Sequence, residues 1–217
     1  MIVFVTETHG AATKQEEKFV YGTNLQKGLR AFGCAMTHPA DACRWLVYLR
    51  KTAIDLRLPW LAWPAIRFLR QVLSPNDAVL EWGAGGSTLF FLDLGCRVYT
   101  IESSEEWVSR VGGAISKDMR RRWTPMLMPD TADYVSGRTR VSRVDLILVD
   151  GLSESRVDCV RECLHLDLPR HFVLDDSWRV EYHEISEMLS GFQRLKMRGF
   201  GPGRLGVTQT DIYRQIV

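Results

Sequence analysis

The sequence predicts an open α/β sheet, mostly parallel, covered by helices on both faces and closed by an antiparallel pair of strands. Three observations predict it. From about residue 78 onward, short apolar runs with few charges alternate with amphipathic stretches, the rhythm of strands buried on both faces. Each of the first four runs ends in a carboxylate: Glu81, Glu102, Asp150 and Asp175. The last two runs, Phe192 to Met197 and Val207 to Tyr213, are joined by the glycine-rich Gly199 to Gly206, too short for a crossover helix, so they pair antiparallel.

The elements follow in order. Residues before about 60 are irregular apart from one amphipathic helix, Ala40 to Leu56, with Trp45, Leu46, Leu49 and Ala53 at helical spacing. Leu58-Pro-Trp-Leu-Ala-Trp-Pro64 reads as a rigid turn. Pro64 suits the first position of a helix whose inward face is Ile66, Leu69 and Leu73, ended by Ser74-Pro-Asn-Asp77. Ala78 to Glu81 is the first strand, followed by a glycine turn and a helix that Gly95 ends. Arg97 to Ile101 is the second; Ser103 and Glu106 then form a capping box for a helix that buries Trp107, Val111 and Ile115. Val144 to Val149 and His171 to Leu174 are further strands, each with a helix after it, the last reaching about Leu189.

Composition sets the frame. With 217 residues, 46% hydrophobic and 25% charged, the chain is long enough for one domain with a substantial core, and disorder is not expected. The domain organisation expected is a helical and irregular segment over 1–62, a candidate cap over a ligand pocket, and a core over 63–217. A net charge of +2 gives no electrostatic case for nucleic acid as a partner. Leu58 to Phe68 is too short, and too interrupted by prolines and Arg67, to span a bilayer. Met1 to Val5 lacks the basic start of a leader and runs straight into polar Thr6 to His9. Five cysteines with no C-x-x-C pair argue against a disulfide framework and a zinc ribbon. A cytoplasmic address without membrane association is expected. The aromatic Trp60-Leu-Ala-Trp63 patch is the candidate interface of a homodimer.

The chemistry concentrates in Val79-Leu-Glu-Trp-Gly-Ala-Gly-Gly-Ser-Thr88. Glycines at a strand-to-helix turn let backbone approach a ligand, and the helix start offers free N–H donors. In open α/β sheets ligands bind at this edge. The loop alone is equally compatible with a tight turn and no ligand. Glu102, ending the next strand, adds a carboxylate that accepts both ribose hydroxyls of a nucleoside. The order G-x-G-G-S departs from the dinucleotide pattern G-x-G-x-x-G. A carboxylate at Glu81 would repel a pyrophosphate, whereas it suits the ammonium of a methionine moiety. The charge argument favours S-adenosylmethionine over NAD.

E-x-G-x-G-G-S-T, the strand-end Glu102, D-L-I-L-V-D-G and the closing hairpin resemble the class I S-adenosylmethionine-dependent methyltransferases, and L-E-W-G-A-G-G-S-T, I-E-S-S-E-E-W and V-D-G resemble a poorly characterised bacterial group among them. The resemblance covers about Pro59 to the C-terminus. It implies a Rossmann-like, doubly wound sheet of seven strands, with the last inserted antiparallel. It implies that Glu81, Gly83 and Gly85 line the methionine end while Glu102 holds the ribose. Ala84, Ser87, Thr88 and Ser103, in the same two turns, complete the expected cofactor contacts. Ser87 stands where many relatives have a third glycine, and its hydroxyl suits a helix cap. Asp133 and Tyr134 lie where relatives place adenine contacts.

Asp150 and Gly151 follow the third of these strands, and the resemblance puts Asp150 opposite the transferred methyl and its acceptor. Asp175 and Asp176 end the fourth. Two chemistries suit such carboxylates. In one, Asp150, Asp176 or the nearby His183 acts as general base. In the other, Asp150, Asp175 and Asp176 hold a divalent cation such as magnesium that acidifies an acceptor hydroxyl. This spacing is similar to that of metal-dependent catechol-type O-methyltransferases, with Asp176 where an asparagine is typical. Strand-end aspartates also cap helices with no ion at all. The reaction expected is methylation of a hydroxyl on a small-molecule or sugar-like acceptor. The alternatives are a non-catalytic S-adenosylmethionine-binding scaffold and an NAD-dependent oxidoreductase.

Overall fold

The computed structural model describes residues 24–48, 51–203 and 206–216, so the Met1 to Val5 run lies outside the described residues. Two helices come first, α1 (Asn24–Thr37) and α2 (Pro39–Tyr48), then the single turn α3 (Ala53–Leu56) and α4 (Trp63–Val72). The helix expected over Ala40 to Leu56 is therefore broken. Thr52 caps a new turn, accepting from the Asp55 N–H while the Asp55 carboxylate accepts from the Thr52 N–H, and Arg57 ends it at φ +52°. Pro64 occupies the first turn of α4, where its missing N–H costs nothing.

The sheet is built from β1 (Ala78–Trp82), β2 (Arg97–Glu102), β3 (Trp123–Leu127), β4 (Leu146–Val149), β5 (His171–Asp175), β6 (Phe192–Phe200) and β7 (Val207–Gln215). Their order is β3-β2-β1-β4-β5-β7-β6. The first five are parallel to one another, and β7 lies antiparallel between β5 and β6. The crossovers carry α5 (Gly86–Asp93), α6 (Glu105–Ala114), α7 (Lys117–Arg120), α8 (Thr131–Ser136), α9 (Arg156–Cys163) and α10 (His183–Met188). The capping box expected from Ser103 and Glu106 does not form: Ser104 is the N-cap of α6 and makes no side-chain cap bond.

Strand periodicity divides the core into two layers. Along β4, Leu146 and Leu148 face one layer and Ile147 and Val149 the other; along β5, Val173 opposes Phe172 and Leu174. Helices α4 and α5 supply the first layer with Ile66, Leu69, Leu89 and Phe91. Helices α9 and α10 supply the second with Cys159, Val160 and Ile185. Helices α1 and α2 lie against β6 and β7 on the first layer, where Trp45 stacks on Phe200 at 5.2 Å between ring centroids. The Trp60–Trp63 segment offers no aromatic patch: Leu61, Ala62 and Trp63 are buried. Among the described residues, no helix is long and apolar enough to cross a membrane.

Candidate functional site

Every parallel strand ends at one edge, and the glycine turn sits at its middle. Gly83 leaves β1 at φ +99°, and its N–H donates to Ile101 O at 2.9 Å, tying the turn to the end of β2. Gly85 extends the backbone into α5 with open space where a side chain would stand. Gly86 is the opposite case. A Cβ there would lie 2.1 Å from Leu58 O and 2.5 Å from Ala53 O, so only glycine lets the segment before α4 pack on the turn.

Glu81 stands behind this turn, fully buried on β1. Its Oε1 accepts from the Thr88 hydroxyl and, at 2.9 Å, from the Thr100 hydroxyl, and Thr88 Oγ1 in turn accepts from the Gly85 N–H at 3.1 Å. Its Oε2 meets no donor. Burial pushes the carboxyl up to about 7, against the opposing pull of its hydroxyl donors. Glu81 is the residue expected at the methionine end of a bound ligand. Its side chain points into the core layer of α5 and braces the turn through Thr88, and it forms no part of the cavity wall.

A cavity of about 620 Å³ opens along the strand ends. At one end lie Glu102, Ser103, Ser104 and Trp107. Glu102 Oε2 accepts from the Ala84 N–H at 2.6 Å and Oε1 from the Ser104 N–H at 2.8 Å, so the carboxylate clasps both turns together. The floor is Gly83 to Ser87. Tyr134 forms a wall, its hydroxyl accepting from the Leu152 N–H at 3.2 Å, and burial raises its phenol well above the usual range, so it stays protonated. At the far end stand Asp150, Leu152, Ser153, Arg156, Asp176 and Arg179, with Ala53 and Trp60 at the margin.

Two arginines order that end. Arg156, on the first turn of α9 and buried, donates to Asp150 Oδ1 at 3.1 Å, to Asp175 O at 2.8 Å and to Gly151 O at 3.2 Å. It thus pins the ends of β4 and β5 to each other. Arg179 donates to Asp176 Oδ2 at 3.0 Å and lies over the rings of Trp178 and Tyr182. Asp176 turns the chain at φ +53°, a conformation that aspartate tolerates better than most residues, and its Oδ1 accepts from the Thr208 hydroxyl. Asp175 faces the other way, accepting from Thr210 Oγ1 at 3.0 Å.

No family model matches the sequence, and no curated protein matches it significantly. Solved structures do match. A precorrin-6y C5,15-methyltransferase from Geobacter metallireducens GS-15 aligns with a TM-score of 0.55 at 13% identity, over 70% of this chain and 87% of its own. An rRNA methylase from Streptococcus thermophilus aligns with a TM-score of 0.53 at 13% identity, over 71% of this chain and 95% of its own. The fold is that of the class I S-adenosylmethionine-dependent methyltransferases.

Within this methyltransferase fold, the candidate residues named from sequence divide into those the cavity brings together and those it does not. Gly83, Ala84, Gly85, Ser87, Glu102, Ser103, Tyr134, Asp150 and Asp176 line it. Thr88 stands behind it with Glu81. Asp133 is exposed on the first turn of α8, outside the wall, and His183 heads α10 without reaching the cavity. The carboxylates expected to hold magnesium do not fit an ion. Asp150 and Asp176 each face a guanidinium, Asp175 is turned into the β5–β7 seam, and no group of three or more ligating side chains is arranged for a metal among the described residues. The cofactor fits better. Gly85, with open space at its Cβ position, and the buried Glu102 line one cavity, and a carboxylate with two oxygens has lone pairs to spare after accepting two N–H bonds. Sequence reasoning missed Arg156 and Arg179. Their signal was spacing, six residues after Asp150 and three after Asp176, where a first helical turn folds back on the strand end.

Proposed function

We propose that this chain binds S-adenosylmethionine in the cavity and transfers its methyl group to a hydroxyl of a small-molecule or sugar-like acceptor. One observation carries the reading: a single cavity runs from a strand-end carboxylate, Glu102, over a glycine turn to a second strand-end carboxylate, Asp150. Glu102 accepts the ribose hydroxyls on its remaining lone pairs. Gly83 to Gly85 let the amino-acid tail lie against backbone, and Trp107 offers a ring face beside Glu102 for the adenine. The cofactor, when bound, supplies a methyl already activated by its sulfonium.

The protein's own task is then positioning, exclusion of water and removal of one proton. Asp150, fixed by Arg156, accepts the hydrogen bond of the acceptor hydroxyl and takes its proton as the oxygen–methyl bond forms and the sulfur–methyl bond breaks. Asp176, held by Thr208 and Arg179, is the second oxygen contact for the acceptor. His183 has no part in this step, because it lies outside the cavity. All five cysteines are free thiols, in keeping with the cytoplasmic address we assign.

Calorimetric titration with S-adenosylhomocysteine and with NAD tests the cofactor. Binding of the former and not the latter is expected; no heat at millimolar S-adenosylhomocysteine would refute the reading. Methyl transfer is then followed from labelled cofactor across a panel of hydroxylated metabolites. Asp150→Ala is expected to keep cofactor affinity and lose turnover by about 10²–10⁴-fold. The engagement of Asp150 and Asp176 by arginines favours one rival, a non-catalytic binding protein. That rival predicts tight S-adenosylhomocysteine binding with no transfer to any acceptor.

A further inference from the structure

Helices α1 and α2 are apolar on both faces. The inner face of α1 is small: Ala31, Cys34 and Ala35 pack on the core. Its outer face is large: Leu29, Phe32 and Met36, one stripe at i, i+3 and i+7, are 61–70% exposed. On α2 the inward side chains, Trp45 and Tyr48, are large, yet Leu46 and Val47 still stand outward at 61% and 67% exposure. Ten large hydrophobic side chains are exposed among the described residues, and five belong to these two short helices. A surface helix ordinarily turns its charges outward and its larger apolar groups inward. On α1 the larger apolar groups are the outward ones.

A second observation concerns α1 itself. Gly28 and Gly33 lie inside the helix, where each costs about 1 kcal/mol relative to alanine. Among the described residues nothing accounts for them, since a Cβ at either would meet no atom within 4 Å. They flank Leu29 and Phe32 on the outer face and leave hollows there, the relief that lets another helix approach closely. A lipid surface or a flexible peptide has no use for such hollows. The stripe formed by positions 28, 29, 32, 33 and 36 carries no charge, so identical copies meet across it without repulsion. Arg44, an exposed cation on α2, leans back over the Trp63 ring at 5.8 Å.

The area also suits a dimer. Five large side chains at this exposure present on the order of 500–600 Å². With the exposed Ala40 and Cys43 between them, the face approaches the roughly 800 Å² per partner of a stable interface.

We propose that this face is covered by a second copy of the chain, α1 and α2 of one protomer packing on α1 and α2 of the other about a two-fold axis. Phe32 of each copy fills the hollow beside Gly33 of its partner. The dimer expected at Trp60 to Trp63 thus has its interface on the preceding helices.

Sedimentation velocity of the full chain across a concentration series tests this, with unfolding curves and S-adenosylhomocysteine affinity recorded for each variant as checks on the fold. The wild-type chain is expected to sediment as a dimer at micromolar concentration. Phe32→Glu with Met36→Glu should weaken dimerisation at least 100-fold. Gly33→Leu improves helix propensity yet fills the hollow, so it should weaken dimerisation at least tenfold without loss of helix content. A wild-type monomer at high concentration would overturn the proposal, as would a dimer indifferent to both substitutions. A wild-type monomer that co-sediments with phosphatidylglycerol vesicles would overturn it in favour of a lipid surface.

Discussion

Replacing Glu81 by glutamine is expected to remove a pH dependence from the stability of the fold. The carboxyl is fully buried, Oε2 has no donor, and burial raises it from an ordinary 4.5 to about 7. Between those values the folded chain holds a proton that the unfolded chain has released. Stability is therefore greatest below about pH 4.5 and declines as pH rises through about 7. At about 1.4 kcal/mol per unit, the decline amounts to about 3 kcal/mol. Glu81→Gln keeps an oxygen for Thr88 and Thr100 and leaves a buried amide donor unpaired, at a constant cost of about 1–3 kcal/mol. The difference between variant and wild type, measured by urea unfolding from about pH 5 to pH 8, cancels every other titrating group. The variant should gain on the wild type by about 2–3 kcal/mol across that range, or roughly 4–12 °C in melting temperature. Parallel curves would refute the reasoning and mean that the carboxylate is already ionised in the fold at pH 5.

Two further substitutions test the walls of the site. A Cβ at Gly151 would lie 1.8 Å from the Tyr134 hydroxyl oxygen. Gly151→Ala should therefore destabilise by about 1–3 kcal/mol, and Tyr134→Phe on that background should recover part of the loss despite giving up the Leu152 N–H bond. Arg156→Met removes the donor that Asp150 and the carbonyls of Gly151 and Asp175 share. A loss of about 3–5 kcal/mol is expected in thermal unfolding; a change under about 1 kcal/mol would show that water replaces the guanidinium without penalty.

The strands were readable where burial on both faces concentrates apolar residues, so β1, β2, β4 and β5 were located to within one or two residues. The hairpin was readable from the short glycine link, although both arms run further than their apolar cores. Strand β3 left no such mark. It is an edge strand with Pro125 in it and three exposed positions, and its pairing with β2 is imposed by tertiary context. Helix α1 was passed over although Leu25, Leu29, Phe32 and Met36 recur at helical spacing, because Gly28 and Gly33 lower its helix propensity. In the site, residue types at strand ends were legible, but the direction of a side chain was not. Glu81 and Glu102 look alike in sequence. A strand sends successive side chains to opposite faces, and the length of each strand before its turn decides which carboxylate meets the cavity. Arg156 and Arg179 belong to helix starts, whose folding back depends on the turn geometry at Gly151 and Asp176.

The contact at Gly86 bears on where this molecule can be divided. The backbone carbonyls of Ala53 and Leu58 press on the first residue of α5, and Ala53 itself reaches the cavity. The glycine turn therefore has two neighbours, with the ligand space on one side and the chain ahead of α4 on the other. Trimming the protein to start at Trp63 would not isolate a minimal nucleoside-binding unit. It would strip the outer wall from the turn, and a loop built to be held from behind would be left to find its shape alone.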